Sequence, residues 1–254
     1  MCMIFSSIFR LETKSFVTNL TALFWTFFYP VMMLLLLIFL FDPRDEGSVD
    51  FYFSSIIGLT MLTIVSMSIF GLAQTICDFR SHNAFLSYVI APVSYFEISM
   101  AIIVSRMVLI VGFSILFVIS SLIILDAGFK LNVGMFFLGF WALIITSIFC
   151  FGLALIVSRY CRNSQTMLAI ANIIYVYALM SSNVFIPLSA LPSWSKVFIT
   201  TSPFYSFNNI LLSAFSGENY FYILTVGSFL FFLGILFVWF ASDRYLFLPV
   251  GRIR

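Results

Sequence analysis

The sequence predicts an all-α integral membrane protein. Six transmembrane helices are expected, with an N-terminal interfacial helix, a short cytoplasmic helix after span two, and an external re-entrant segment before the last span. Three observations lead there. Hydrophobic residues make up 63% of the chain and charged residues 9%, with a mean hydropathy of +1.15. Six apolar stretches each approach the roughly 20 residues that cross a bilayer. Finally, Pro187, Pro192 and Pro203, three of the seven prolines, crowd together ahead of the last stretch.

The composition excludes a soluble domain, in which apolar residues make up about 45–50% and charged residues about 25%. The six stretches run from Leu20 to Phe41, Phe51 to Cys77, Ala101 to Leu125, Val133 to Val157, Gln165 to Val184 and Phe221 to Ala241. Polar turns divide them: Asp42-Pro43-Arg44-Asp45-Glu46-Gly47, Asp126-Ala127-Gly128-Phe129-Lys130, and Arg159-Tyr160-Cys161-Arg162-Asn163.

Lysine and arginine set the orientation, because they are enriched in cytoplasmic loops. With six spans both termini share one side. That side holds Arg10, Lys14, Arg80, Arg159, Arg162, Arg244, Arg252 and Arg254. The other holds Arg44, Lys130 and Lys196, and Arg106 lies inside span three; eight, three and one make the twelve. Both termini are expected in the cytoplasm. Arg10 and Lys14 are not expected to open a cleaved leader, since the apolar run after them is too long and ends in no small-residue cleavage site. Ile4, Phe5, Ile8 and Phe9, interspersed with charge, suggest an amphipathic helix over residues 1–19 lying at the inner interface; a disordered lead-in is the alternative. Cys2, Cys77 and Cys161 map to the cytoplasmic side and Cys150 to span four, so no structural disulfide is expected.

Several chemistries lack their residues. There is no G-x-x-x-x-G-K-[ST] phosphate loop, no G-x-S-x-G and no Ser/His/Asp set. The single histidine, His82, has no metal-ligand spacing around it. Catalytic and metal sites are therefore expected to be absent, and so is nucleic-acid binding. Glu97 and Arg106 are the charges nearest the membrane interior. Nine helical residues separate them, which puts them on roughly opposite faces and about 13 Å apart along the axis. They cannot pair directly, and Arg106 is expected to extend its long stem to the cytoplasmic edge.

Two segments break the pattern of simple spans. Asp78 to Ser94 reads DFRSHNAFLSYVIAPVS; Phe79, Phe85, Leu86 and Val89 are spaced for one helical face, and Ala91-Pro92 stops the helix. An ordinary interfacial loop is the alternative. On the other side, Phe185-Ile186-Pro187-Leu188, Leu191-Pro192-Ser193-Trp194 and Ser202-Pro203-Phe204 break the chain repeatedly after span five. Broken backbone at membrane depth is tolerated where protein or a water-filled cavity covers it.

Together these features resemble the permease subunit of type-2 ATP-binding-cassette exporters. The motifs best matched are Ala91-Pro92-Val93-Ser94 and the run from Phe185 to Phe204, and the resemblance extends over essentially the whole chain. Ser181-Ser182-Asn183 stands where the family often has Ser-Gly. The N-terminus lacks the segment rich in Arg, Lys and Tyr of the polysaccharide-exporting branch, which favours a drug, peptide or lipid-type branch. The resemblance implies two permease chains, or a pairing with a related permease, above two separate ATPase subunits that bind ATP and magnesium. Residues 79–90 would be the coupling helix seated on the ATPase, with Asp78 and Arg80 as polar contacts and Phe85 as apolar anchor. Spans two and five would line the dimer axis, so that Ser66, Ser68, Asn172, Tyr175 and Tyr177 face a translocation path; bonding between helices is the alternative role for these groups. Pro187, Pro192, Trp194 and Pro203 would form an external gate over residues 187–204. The chain itself would bind no cofactor, would not be an enzyme, and would sit in a bacterial inner membrane. A polysaccharide or glycolipid exporter, a secondary transporter, and a non-transporting immunity or assembly protein remain as other readings.

Overall fold

The computed structural model describes residues 2–40, 48–81, 95–124, 133–161, 163–182, 184, 192–217 and 219–241. Helix α1 is Cys2–Thr18. Helix α2 joins Leu20–Leu23 and Tyr29–Leu40 through a π-helical turn at Phe24–Phe28. Helix α3 is Ser48–Ser66, π-helical Met67–Ala73 and Gln74–Ser81 in one rod. Then come α4 (Tyr95–Ile124), α5 (Val133–Tyr160), α6 (Ser164–Ser181), α7 (Ser193–Thr200) and α8 (Pro203–Ser216). Helix α9 is Tyr220–Tyr222, π-helical Ile223–Gly227 and Ser228–Ala241. All regular structure among the described residues is helical.

Among the described residues five helices are long and apolar enough to cross a membrane: Phe51–Ser81, Met100–Ser121, Gly134–Tyr160, Ser164–Ser181 and Tyr220–Ala241. The sixth expected span, from Leu20, is helical, but its apolar part, Thr26–Leu40, is shorter than the other five. The span after Phe51 runs on beyond Cys77 to Ser81, because no proline or glycine interrupts it there.

Helix α3 is the centre of the packing. Of its most apolar 18 residues 94% lie inside the protein, against 28% for α6 and for α9. Its hydroxyls make that burial possible. Ser55, Thr60, Thr63 and Ser68 each donate to the carbonyl four residues earlier, at 2.7–2.8 Å, which satisfies polar atoms that would otherwise be costly in an apolar interior.

Helices α5 and α9 cross at two glycines. A Cβ on Gly152 would stand 2.9 Å from the Gly234 carbonyl oxygen and 2.7 Å from Phe237 Cβ. One on Gly234 would stand 2.8 Å from the Phe149 amide nitrogen. Small residues let membrane helices approach backbone to backbone, where dispersion contacts replace a hydrophobic drive.

Between α6 and α9 the described chain forms α7 and α8, and α8 runs on to Ser216, beyond the expected residues 187–204. Proline begins helices here as well as breaking them. Pro192 caps α7, and Ser202 caps α8 with Pro203 at its first position, Ser202 Oγ accepting from Phe204 N at 3.3 Å. The locked φ of proline suits a first turn whose amide has no partner anyway. Gly217, at φ +76°, ends α8. Helix α8 lies antiparallel to the first half of α5. Phe207 meets Phe149 at 4.9 Å between ring centroids, and Phe215 covers Gly139. Phe149 is roughly 24 Å along α5 from Val133, so α8 starts near mid-height and climbs to the end where α5 begins. Ser202 Oγ to Ser181 Oγ (2.9 Å) and Asn208 Nδ2 to the Ser182 carbonyl (2.9 Å) hold its start against the end of α6.

Helix α1 does not rest on apolar contact alone. Ile8, Glu12 and Phe16, one helical face, are all buried. Arg106 of α4 is 1% exposed; it donates from Nη1 to the Glu12 carbonyl at 2.9 Å and from Nη2 to Glu12 Oε2 at 3.2 Å. The Phe16 ring lies 4.7 Å below the guanidinium, and Thr13 and Ser105 share a hydrogen bond of 2.9 Å. Arg106 therefore does not extend to the cytoplasmic edge; a charge supplied by α1 makes its burial tolerable. Burial pushes the Glu12 carboxyl above its ordinary pKa, and Arg106 partly opposes this.

Two outcomes are expected. Arg106→Met leaves Glu12 buried alone and should destabilise α1 docking by about 3–5 kcal/mol, while Arg106→Met with Glu12→Leu should recover most of the loss, read by protease protection of residues 2–18. A folded pKa above the unfolded one means that Glu12 favours the docked state most at low pH and loses that contribution as pH rises through the raised pKa; Glu12→Gln should flatten this dependence. Separately, Gly234→Leu should cost about 1–3 kcal/mol through forced separation of α5 and α9, seen as a lower melting temperature.

Candidate functional site: a clasp at the end of α3 and two exposed faces

The end of α3 ties four helices together. Asp78 Oδ1 accepts from Gln74 Nε2 at 3.1 Å, one turn back, and from Ser164 Oγ at the first turn of α6. A carboxylate beside a helix N-terminus is favoured by the helix dipole. Asn163 caps the same end, accepting from Thr166 N at 2.7 Å. Arg80 reaches the other way. Its Nη2 donates to the Ser158 carbonyl and its Nη1 to the Arg159 carbonyl at 3.2 Å, both at the last turn of α5. Arg159 in turn donates from Nη1 to the Phe240 carbonyl at 2.9 Å, with its guanidinium 5.0 Å from the Phe240 ring. Guanidinium groups thus close the C-terminal ends of α5 and α9, where carbonyls lack intrahelical partners.

This changes the picture of Arg80. It was expected as a polar contact for an ATPase, but it is 5% exposed and committed to α5. Asp78 is half-buried and joins α3 to α6. Both belong to the rod of α3, so the separate cytoplasmic helix expected from residue 79 does not begin there. Phe85 and the rest of residues 82–90 lie outside the described residues.

The five residues expected to face a path divide in two. Ser66 and Ser68 are enclosed within the chain, at 1% and 0% exposure, because α3 is wrapped by the other helices. Tyr175 is also buried, its ring 6.2 Å from that of Tyr29 and 5.9 Å from that of Phe70. Asn172 and Tyr177 lie on the open face of α6 with Leu168, Ile173, Val176 and Met180. Asn172 Nδ2 returns to the Leu168 carbonyl at 2.8 Å, which lowers the cost of an amide on an apolar face.

Of the expected gate, Pro192 and Pro203 begin α7 and α8, while Trp194 is 70% exposed on α7. Pro187 lies outside the described residues. Sequence reasoning missed Glu12, Arg159 and the helix α8. The signal for Glu12 was present: an acid at i+4 from Ile8 and i−4 from Phe16, on the apolar face of an amphipathic helix.

Arg80→Met should strip the end of α5 of two donors. A loss of about 2–4 kcal/mol of stability is expected, with faster cleavage of the chain near residues 158–164, while Arg10→Met, on the exposed face of α1, should change neither.

A family model described as ABC-2 type transporter matches residues 4–216. The search of curated proteins found no matching relative.

Proposed function

Because the chain belongs to the ABC-2 type transporter family, we propose that it is the permease subunit of an ATP-driven exporter that moves an amphipathic drug-, peptide- or lipid-like substrate out of the cytoplasm. The chain is a multi-pass membrane protein, and its family implies an ATP-binding-cassette partner. In this reading two permease copies pair above two ATPase subunits. ATP and magnesium bind in those subunits, and this chain is not itself an enzyme. Helix α2 supplies the sixth span, both termini lie in the cytoplasm, and the host membrane is a bacterial inner membrane.

The observation that best supports the reading is the clasp at Asp78 and Arg80. It ends at Ser81, where residues 82–90 would meet the ATPase. A push on that segment would be shared at once by α3, α5, α6 and α9, because their ends are tied by charge-assisted hydrogen bonds. Asp78 and Arg80 then act by transmission, and Phe85 is the contact. The open face of α6, with Asn172 and Tyr177, would meet the second copy or the cargo. Pro192, Trp194 and Pro203, with α7 and α8, would form the external gate.

The test is co-expression with candidate ATPase subunits, purification and reconstitution. Stable association is expected. Phe85→Ala should weaken it at least about thirtyfold, as truncating an aromatic anchor costs ~2 kcal/mol or more at an interface. An ATPase that fails to associate with the wild-type chain, together with flux driven by an ion gradient alone, would contradict the proposal and favour a secondary carrier.

A further inference from the structure

A second site stands apart from the clasp and from the open face of α6. Where α8 ends and α9 begins, a cavity of about 590 Å³ opens to the surface, lined by Asn209, Leu212, Ser213, Ser216, Asn219, Phe221, Tyr222 and Thr225. Ligand sites commonly enclose about 300–1,000 Å³ with a few convergent polar groups. Asn209, Ser213 and Ser216 share one face of α8, opposite the buried face that holds Phe207, Ile210, Leu211 and Ala214. Asn219 is held in the left-handed region at φ 52° between the two helices. Thr225 Oγ1 already donates to the Phe221 carbonyl at 2.8 Å and Ser216 Oγ to the Ser213 carbonyl at 3.5 Å. The carboxamides of Asn209 and Asn219 make no hydrogen bond among the described residues.

We propose that this cavity binds a neutral, hydroxyl-rich headgroup. A carboxamide both donates and accepts, as does a serine hydroxyl, and the ligand that matches such a lining must also do both. A sugar or other polyol does; a phosphate only accepts and is matched by arginine or lysine, neither of which occurs among the described lining residues. Leu212 and Tyr222 supply apolar surface beside the amides, and Phe221, 79% exposed, stands at the rim. These suit the apolar part of a glycosyl lipid or the flat face of a free sugar.

The test uses the full chain in phosphatidylcholine nanodiscs without ATP, with fluorescent monoglucosyl diacylglycerol as probe. Saturable binding is expected, and Asn209→Leu should weaken it about fivefold, the value of about one hydrogen bond. Asn219→Gly suits the left-handed turn and removes the amide; it should do the same, and it carries the test if Asn209→Leu misfolds. Displacement by methyl glucoside assigns the site to free sugar; displacement by unlabelled glucosyl lipid alone assigns it to lipid. Unchanged affinity in both variants would overturn the proposal. Equal displacement by phosphatidylglycerol, or a disulfide between two copies of Ser213→Cys, would do so too, the latter because it marks an interface. Binding is read without transport, so failure here leaves the exporter proposal standing, and failure of ATPase association leaves this one standing.

Discussion

Everything in this structure is arranged around one helix that has almost no access to its surroundings. A helix enclosed on all sides must be apolar all round or must satisfy its own polar groups. Helix α3 does both: its serines and threonines fold back on their own carbonyls, and its apolar residues fill the space between α2, α4, α5, α6 and α8. The other helices can then expose apolar faces outward, as α6 and α9 do with Ile173, Val176, Phe229 and Phe232. Such faces are stable against lipid and unstable against water, which is the physical content of calling the protein multi-pass.

Charge appears where helices end and where α1 joins. Arg80 and Arg159 close carbonyls at the last turns of α5 and α9, and Asp78 meets the first turn of α6. Glu12 and Arg106 fasten α1 to α4. Each group sits where backbone partners run out or where a second charge is at hand, so the cost of removing it from water is offset locally. The result is a set of helices whose ends beside Ser81 are joined by directional bonds while their middles are joined by packing. A force applied beyond Ser81 reaches that joined end first.

Much of this was written plainly in the chain. The apolar runs gave helices α3 to α6 and α9 to within a few residues, because a bilayer demands length and composition that few other structures share. The helix over residues 2–18 followed from its apolar spacing. What escaped the sequence was pairing between distant elements. Glu97 is the acid nearest Arg106 along the chain, nine residues away on the same helix, whereas its partner Glu12 comes from α1; sequence distance says nothing about which helices touch. Ser66 and Ser68 are expected on a path only because the resemblance puts span two at a dimer axis; within one chain both lie in the core, where Ser68 bonds back to the Ile64 carbonyl. Helix α8 was hidden because its prolines were read as breaks, although Ser202-Pro203 is equally a start signal and Gly217 a stop.

If the chain works as the proposed exporter subunit, α3, α5 and α6 move as one body at the ends joined by Asp78 and Arg80 when a partner ATPase cycles. The most direct test is a spin-label distance measurement between Ser81→Cys on α3 and Thr166→Cys on α6, in the reconstituted complex with and without ATP. The account predicts one narrow distance distribution in both states, while distances between the two permease copies change. A distribution within one copy that broadens or shifts with ATP would contradict it, since the clasp would then open during the cycle.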